Sequence, residues 1–488
     1  MSNLASKIIG GSFWVSVFRV IQKAFGAVKQ IILARLLFPE DFGLFGIASL
    51  MLLAFEVLTR TGFDDALIHI QEKIEGYLHT SYWIQVLRGA LIGLIVYIGA
   101  PTIAVFFNEP RVVPIVQVLA LTQVLKGFRS IGVVLFRKEM DFRNESIFLF
   151  TGVMTNFIVT VILAFLWQDV WALVWGNVAG EAVMLITSFY FHPYRPKISF
   201  NWQKAKGLFK YGVWLLGAGV VSYISLQADN IFVGKIIGTS ALGVYQMAYF
   251  VANLPTTEIA KQIGKVVQSS YAELQHNTEL LQKNYKKTFA AISIFLMPLI
   301  IWLILLNNEL ILIVLGEKWT EIIPILPIIA VGAFFRGLGA STASLFKAIG
   351  FTSNVFRVEA LRAVTLLLGL FFCSLYEAGL IYVSLAYVLS TISLFIYYML
   401  LYRRKFHGVA SVIFSLWPAL VSGLVLTVVT LILSAFFFEY NGILNVIVTV
   451  SLGFGVYITT LVVIEKITGR TILISLFKKL GVKIPLIT

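Results

Sequence analysis

The stretch GGSFWVSVFRVIQKAFGAVKQIIL, Gly10 to Leu33, is long enough to cross a bilayer and yet carries Arg19, Lys23 and Lys29. At about 100° per residue, Ser12, Ser16, Arg19, Gln22, Lys23, Gly26 and Gln30 gather within an arc of roughly 120°, with Lys29 just beyond it. Phe13, Trp14, Val17, Ile21, Ala24, Phe25, Val28 and Ile31 make up the opposite face. A cation at the centre of a lipid-facing helix costs at least about 2.5 to 3.5 kcal/mol, so the polar stripe is expected to face other helices or a wet cavity. The rest of the chain must supply that cavity.

With 59% hydrophobic and 13% charged residues in 488, and a mean hydropathy of +0.90, the chain is too apolar for a soluble globule. The N-terminal segment holds one lysine before its apolar run and no Ala-x-Ala pattern after it, so the first helix is expected to be retained. A single cysteine, Cys373, excludes an intramolecular disulfide framework and a cysteine zinc site. No Walker A loop, His-Glu-x-x-His or Gly-x-Ser-x-Gly motif is present, and His69, His79, His192, His276 and His407 are not spaced as metal ligands. They read as solvated residues of cytoplasmic loops, and neither a cofactor nor an enzyme activity is expected.

Fourteen windows of about 20 mainly apolar residues run from roughly 10–33 to 443–465. An even number puts both termini on one side. The opposite loops then hold only Arg35, Arg111, Lys235 and Lys318, while Arg19, Lys23, Lys29, Arg88, Lys126, Arg129, Arg336 and Arg362 lie within helices. The remainder of the 38 Lys and Arg sits on the terminal side, which is therefore read as cytoplasmic. Most of the +14 charge is thus topogenic, and nucleic acid is not expected as a partner. The polar segment Val266 to Lys287, with Tyr271, Leu274, Leu280, Leu281 and Tyr285, reads as an amphipathic surface helix.

A repeat at a constant offset of 200 residues aligns Arg35–Ala48 with Lys235–Ala248, Gly43 with Gly243, Trp14 with Trp214 and Ile31 with Ile231. Six helices separate the copies, so the repeat is parallel, with an axis along the membrane normal. The expected fold is all-α: two six-helix lobes, 1–200 and 201–402, around a central cleft, with two further helices and a tail in 403–488.

Within this frame Arg19 and Lys23 of the first helix and Arg336 of the tenth lie too deep to snorkel, and a cavity-lining role is expected for them. Arg88, Lys126, Arg129, Glu56, Glu258, Glu359 and Arg362 lie nearer the cytoplasmic end, where snorkelling or pairing competes with a cavity role. With Glu56, Glu181, Asp229, Glu258 and Glu359 as the intramembrane acids, the interior is net basic and suits a phosphate or diphosphate head group. The repeat sets Lys29 opposite Asp229. These two could close an outer gate, Asp229 could instead bind a coupling cation beside Gln227 and Asn230, or each could have its own local partner; Glu181 joins the gate and coupling candidates. The Gly89/Gly93 pair is a weak GxxxG signal.

Phe13-Trp, Arg35-Leu-Leu-Phe-Pro-Glu-Asp-Phe-Gly-Leu-Phe, Gly62-Phe-Asp-Asp-Ala-Leu-Ile68, Gln227-Ala-Asp-Asn-Ile-Phe-Val-Gly234 and Ala241-Leu-Gly-Val-Tyr245 resemble the polysaccharide-transport branch of the multidrug/oligosaccharidyl-lipid/polysaccharide exporter superfamily. Within it the chain is most similar to Wzx-type flippases that handle colanic or teichuronic acid units. The resemblance implies alternating access and transfer of undecaprenyl-diphosphate-linked oligosaccharide to the outer leaflet of a bacterial inner (plasma) membrane. H+ or Na+ coupling and contact with membrane lipid and polysaccharide assembly proteins belong to the same expectation. The competing readings are a cation-coupled drug antiporter on the same scaffold and a membrane enzyme of polysaccharide assembly.

Overall fold

The computed structural model describes residues 2–59, 67, 75–377, 379–436 and 442–468, and no strand occurs among them. The described residues hold fourteen long helices. In chain order they are α1 Ser2–Leu36, α2 Pro39–Leu58, α3 Glu75–Phe107, α4 Val112–Phe128, α5 Phe142–Trp167, α6 Trp171–Phe191 and α7 Trp202–Phe232, then α8 Thr239–Glu273, α9 Thr278–Leu305, α10 Leu326–Ala348, α11 Thr352–Leu375, α12 Leu380–Phe406, α13 Trp417–Phe436 and α14 Gly442–Thr468. Ten candidate spans are long and apolar enough to cross a membrane, and α4 with the helical stretch Ile131–Lys138, bent by 70°, would make an eleventh. Helices α1, α7 and α8 have the length, at 35, 31 and 35 residues, and carry more polar groups. The protein is an all-α, multi-pass membrane protein, and the fourteen expected windows are consistent with it in number. The Gly62–Ile68 motif apart from Leu67, His69, the tail beyond Thr468 and the side chains of Trp14, Trp214 and Glu258 lie outside the described residues.

The chain forms two compact units, Met1–Gly243 and Val244–Thr488. In the first, α3 packs on α4, α5 on α6, α4 on α6 and α1 on α5, while α2 lies against α4 and α7. In the second, α9 packs on α10, α11 on α12 and α10 on α12. Those three pairings are the first three advanced by six helices, so the repeat legible in sequence recurs in the packing. Helix α13 packs on α9 and α14 on α13. Tyr457 of α14 donates its hydroxyl to the Ile294 carbonyl of α9 at 2.8 Å.

In a bilayer, helix association depends on close packing rather than on escape from water, and small residues allow it. A Cβ on Gly89 of α3 would stand 2.6 Å from the Gly127 Cα of α4, and one on Gly93 2.6 Å from Val124 Cγ2. The Gly89/Gly93 pattern is therefore a true contact face. Helix ends are set by local chemistry: the Asp41 carboxylate accepts from the Phe38 N–H ahead of α2, and the Asp141 and Asn277 side chains cap α5 and α9. Gly238, with φ of 128°, joins the π-helical turn Val233–Ile237 to α8 in a conformation closed to other residues.

The segment 266–287 is not one surface helix. Its first half completes α8, a turn at Leu274–Asn277 follows, and its second half opens α9. Tyr271, Leu281 and Tyr285 are buried, with Tyr285 stacked on Tyr402 at 5.0 Å between ring centroids. The apolar stripes that suggested a bilayer surface meet each other and α12 instead.

Candidate functional site

Helix α1 rests on α5 through Phe18 and Phe25, whose rings meet Phe150 and Phe157 edge-on at 5.1 to 6.1 Å. Lys29, on the same side, donates to Asn156 Oδ1 at 2.6 Å. The face turned away from α5 is exposed, and Arg19 and Lys23 lie on it. Val20, Ala24, Val28 and Ile31 are exposed on the adjoining arc. The open side of α1 is thus half cationic and half apolar.

Elsewhere in the first unit, the other expected cations have partners. Lys126 of α4 pairs with Glu56 of α2 at 3.0 Å. Arg88 of α3 donates to the Glu56 carbonyl at 2.9 Å and to Thr59 Oγ1 at 3.2 Å. Arg129, just past the end of α4, pairs with Glu181 of α6 and lies 5.8 Å from the Phe148 ring. Gln85 steadies that helix end by donating to the carbonyls of Lys126, Gly127 and Arg129 at 3.0 to 3.1 Å. The Arg129–Glu181 pair is about four-fifths buried, where desolvation offsets much of the Coulombic gain, and the network ties α2, α3, α4 and α6 together.

Asp229 and Asn230 on α7 are buried: the Asp229 carboxylate accepts from the Asn230 N–H at 2.9 Å, and Asn230 Nδ2 donates to Gln227 Oε1 at 3.0 Å. Arg336 lies in the second unit on α10, its guanidinium 5.6 Å from the ring centroid of Tyr249 on α8. Arg362, nearly buried on α11, pairs with Glu359 at 3.5 Å. No group of three or more His, Cys, Asp or Glu that could hold a metal ion occurs among the described residues.

Two features escaped the sequence. Between α3 and α4, Glu109 accepts from Arg111 Nε at 2.8 Å and from Thr239 Oγ1 at 3.0 Å, while Arg111 also pairs with Glu40. The hydrogen bond from Arg111, followed by that from Thr239, holds the Glu109 carboxyl below its ordinary range despite some burial. Beside this network a Cβ on Gly43 would fall 1.8 Å from the Thr239 carbonyl oxygen, and one on Gly243 1.8 Å from that of Pro39. These four residues are two repeat-related pairs, and the glycine alignment was the available signal.

Near the start of α3 and the end of α6, His79 and His192 are half-buried rather than solvated. His79 Nδ1 lies 2.9 Å from the Tyr194 hydroxyl and accepts from the Lys197 N–H at 3.2 Å; His192 Nδ1 accepts from the Tyr194 N–H at 3.1 Å. They pin the link between α6 and α7 to α3. Burial lowers the affinity of His192 for a proton.

A family model described as polysaccharide biosynthesis protein matches residues 32–324. Lipopolysaccharide biosynthesis protein WzxC of Escherichia coli (strain K12) is 27% identical over 362 residues, 73% of this chain and 74% of that protein. Teichuronic acid biosynthesis protein TuaB of Bacillus subtilis (strain 168) is 24% identical over 396 residues, 80% of this chain and 81% of the relative. Among solved structures, the lipid II flippase MurJ in an inward closed conformation superposes with a TM-score of 0.76 at 15% identity, covering 93% of this chain and 99% of MurJ. An inward-facing multidrug resistance MATE transporter gives 0.64 at 16% identity, over 80% and 95%. These likenesses show a shared fold. With the family model spanning more than half of its length, the chain belongs to the polysaccharide biosynthesis protein family.

Proposed function

We infer that this protein is a flippase that moves undecaprenyl-diphosphate-linked oligosaccharide from the inner to the outer leaflet of a bacterial inner membrane by alternating access, with both termini in the cytoplasm. The observation that carries this is the open cationic edge of α1, where Arg19 and Lys23 stand exposed on a helix whose other face is packed. Two cations side by side match a diphosphate, and the neighbouring apolar arc suits the polyprenyl chain that stays in hydrocarbon. Lys126, Arg129 and Arg88 would contribute further contacts when their pairs with Glu56 and Glu181 open. The names of WzxC, TuaB and the lipid II flippase support the reading. Burial of Asp229 beside Asn230 and Gln227 supports coupling to a cation, and Lys29 remains the proposed gate partner of Asp229 in another state.

The test is transfer of undecaprenyl-diphosphate oligosaccharide in proteoliposomes by the intact chain and by Arg19→Ala/Lys23→Ala. Transfer lost only in the variant, at equal insertion, is the expected result. Equal transfer by both removes this edge from the mechanism, and transfer by neither across several sugar compositions rejects the flippase.

A further inference from the structure

The link between α6 and α7 is fastened by its backbone. Lys197 donates its N–H to His79 Nδ1 at 3.2 Å, the Lys197 carbonyl accepts from Trp83 Nε1 at 3.0 Å, and the Asn201 N–H donates to Thr80 Oγ1 at 3.1 Å. All three partners lie in the first turns of α3. The apolar side chains of the link and of the start of α7 are left open: Ile198 is 95% and Trp202 70% exposed, and Phe200 stands beside Trp202 with 6.2 Å between ring centroids. Arg195, Lys197 and Lys206 are exposed among them, and no acidic residue occurs between Glu181 and Asp229. An apolar surface held in place and left uncovered marks an interaction site. Its depth follows from α3, which at 33 residues is about 50 Å long against a hydrocarbon core of about 30 Å. The polar turns from His79 to Gln85 make this the end of α3 that reaches head-group depth, and the link fastened to them lies there too.

The combination recurs six helices later. Arg403, Arg404 and Lys405 are exposed at the end of α12, Ile413 and Phe414 are exposed in the link that follows, and Phe414 stacks on Trp417 at 6.2 Å. No acidic residue occurs between Glu377 and Glu439. By contrast, Glu139 and Asp141 interrupt the basic α4–α5 link, and Glu273 and Glu279 flank the turn between α8 and α9.

We propose that the α6–α7 link docks on anionic phospholipid of the bilayer surface, with its rings at the boundary of hydrocarbon and head groups and its cations on lipid phosphates. Aromatic side chains favour that boundary, and cations beside them attract anionic head groups. A neutral lipid would accept the rings and leave three charges unmatched. An acidic protein would match the charges and leave Ile198 and both rings without an apolar partner. The proposal holds whatever molecule the protein transports.

The experiment places a fluorophore on the thiol of Ile198→Cys in a Cys373→Ser background of the full chain, in vesicles of phosphatidylcholine with a minority of phosphatidylglycerol. A nitroxide near the glycerol is carried by one lipid or by the other, in two preparations from one protein batch. Quenching is expected from both, and roughly threefold more strongly from labelled phosphatidylglycerol. Arg195→Gln/Lys197→Gln/Lys206→Gln should bring that ratio to about one, and high salt should lower it in the intact sequence. Arg195 also donates to the His192 and Tyr194 carbonyls. Should the triple variant fail to insert, Lys197→Gln/Lys206→Gln therefore decides: a reduced ratio supports the proposal, and an unchanged ratio overturns it. Equal quenching by both lipids overturns the anionic preference. Quenching by neither overturns the docking itself and places the link in water or against a protein.

Discussion

Arg129 and Glu181 are each about four-fifths buried and face one another across α4 and α6. Removing one partner leaves a charge with no counter-ion, so Arg129→Met or Glu181→Leu alone is expected to destabilise the protein by roughly 3 kcal/mol. The double substitution should be far milder, because the desolvation of both charges disappears together. Thermal unfolding in detergent of all four proteins checks this; additive losses would show that the pair is not coupled.

A second residue-scale expectation concerns His192. Its proton affinity is lowered by burial in the folded protein, so the unfolded chain binds the proton more readily. Stability therefore falls as pH drops from about 6.5 toward the lower folded value, and is flat above it. His192→Gln should remove that part of the pH dependence of the melting temperature. Neither histidine was legible as a packed residue, since nothing local distinguishes a loop histidine in water from one wedged against Gly132, where a Cβ would lie 2.4 Å from His192 Nδ1.

Among elements, α2 and the start of α8 give the sharpest steric statement. Gly43→Ala places a methyl group within bonding distance of a backbone carbonyl that has no rotamer to change. Overpacking typically costs about 1 to 3 kcal/mol, which here weighs against the arrangement described and favours one in which these helix ends separate. In a Cys373→Ser background, Asn230→Cys should then be labelled by an impermeant thiol reagent from the outer side about tenfold faster when Gly43→Ala is added. No increase would mean that α2 and α8 accommodate the methyl group where they stand.

At this scale the sequence was informative wherever periodicity or repetition carries the information. Arg19 and Lys23 on the polar stripe of α1 are exposed, and three pairings of the first unit recur six helices later in the second. The sequence was silent on Lys126 with Glu56 and Arg129 with Glu181, because pairs between helices depend on tertiary rotation that no local spacing records. The 266–287 segment was misread for a related reason: an apolar stripe looks the same whether it meets lipid headgroups or the stripe of the next helix.

For the whole molecule, α13 and α14 lie within the second unit. Trp302 and Ile294 of α9 are buried together with Ala419, Leu426, Tyr457, Leu461 and Val462. Truncation after Phe406 should therefore lower the melting temperature and the yield of inserted protein, rather than merely shorten it. Unchanged stability would make these helices an independent appendage. The flippase reading adds an electrical expectation. Carrying negative charge outward is favoured by about 2.3 kcal/mol per charge per 100 mV of inside-negative potential, so transfer in proteoliposomes should accelerate severalfold under such a potential and slow when it is reversed. Indifference to the sign would argue that counter-ions travel with the head group.

The reciprocal meeting of Gly43 with Thr239 and of Gly243 with Pro39 has the form of an isologous dimer contact, in which one surface is its own complement. Two separate copies of a half-length chain could make it, with every substitution striking both sides at once. In a single chain the two sides can be substituted independently. The carbonyl-bearing positions now differ, proline in one copy and threonine in the other, and only the threonine can donate to Glu109. This pseudo-symmetric junction thus has one polar side, giving the two related copies a means of behaving differently.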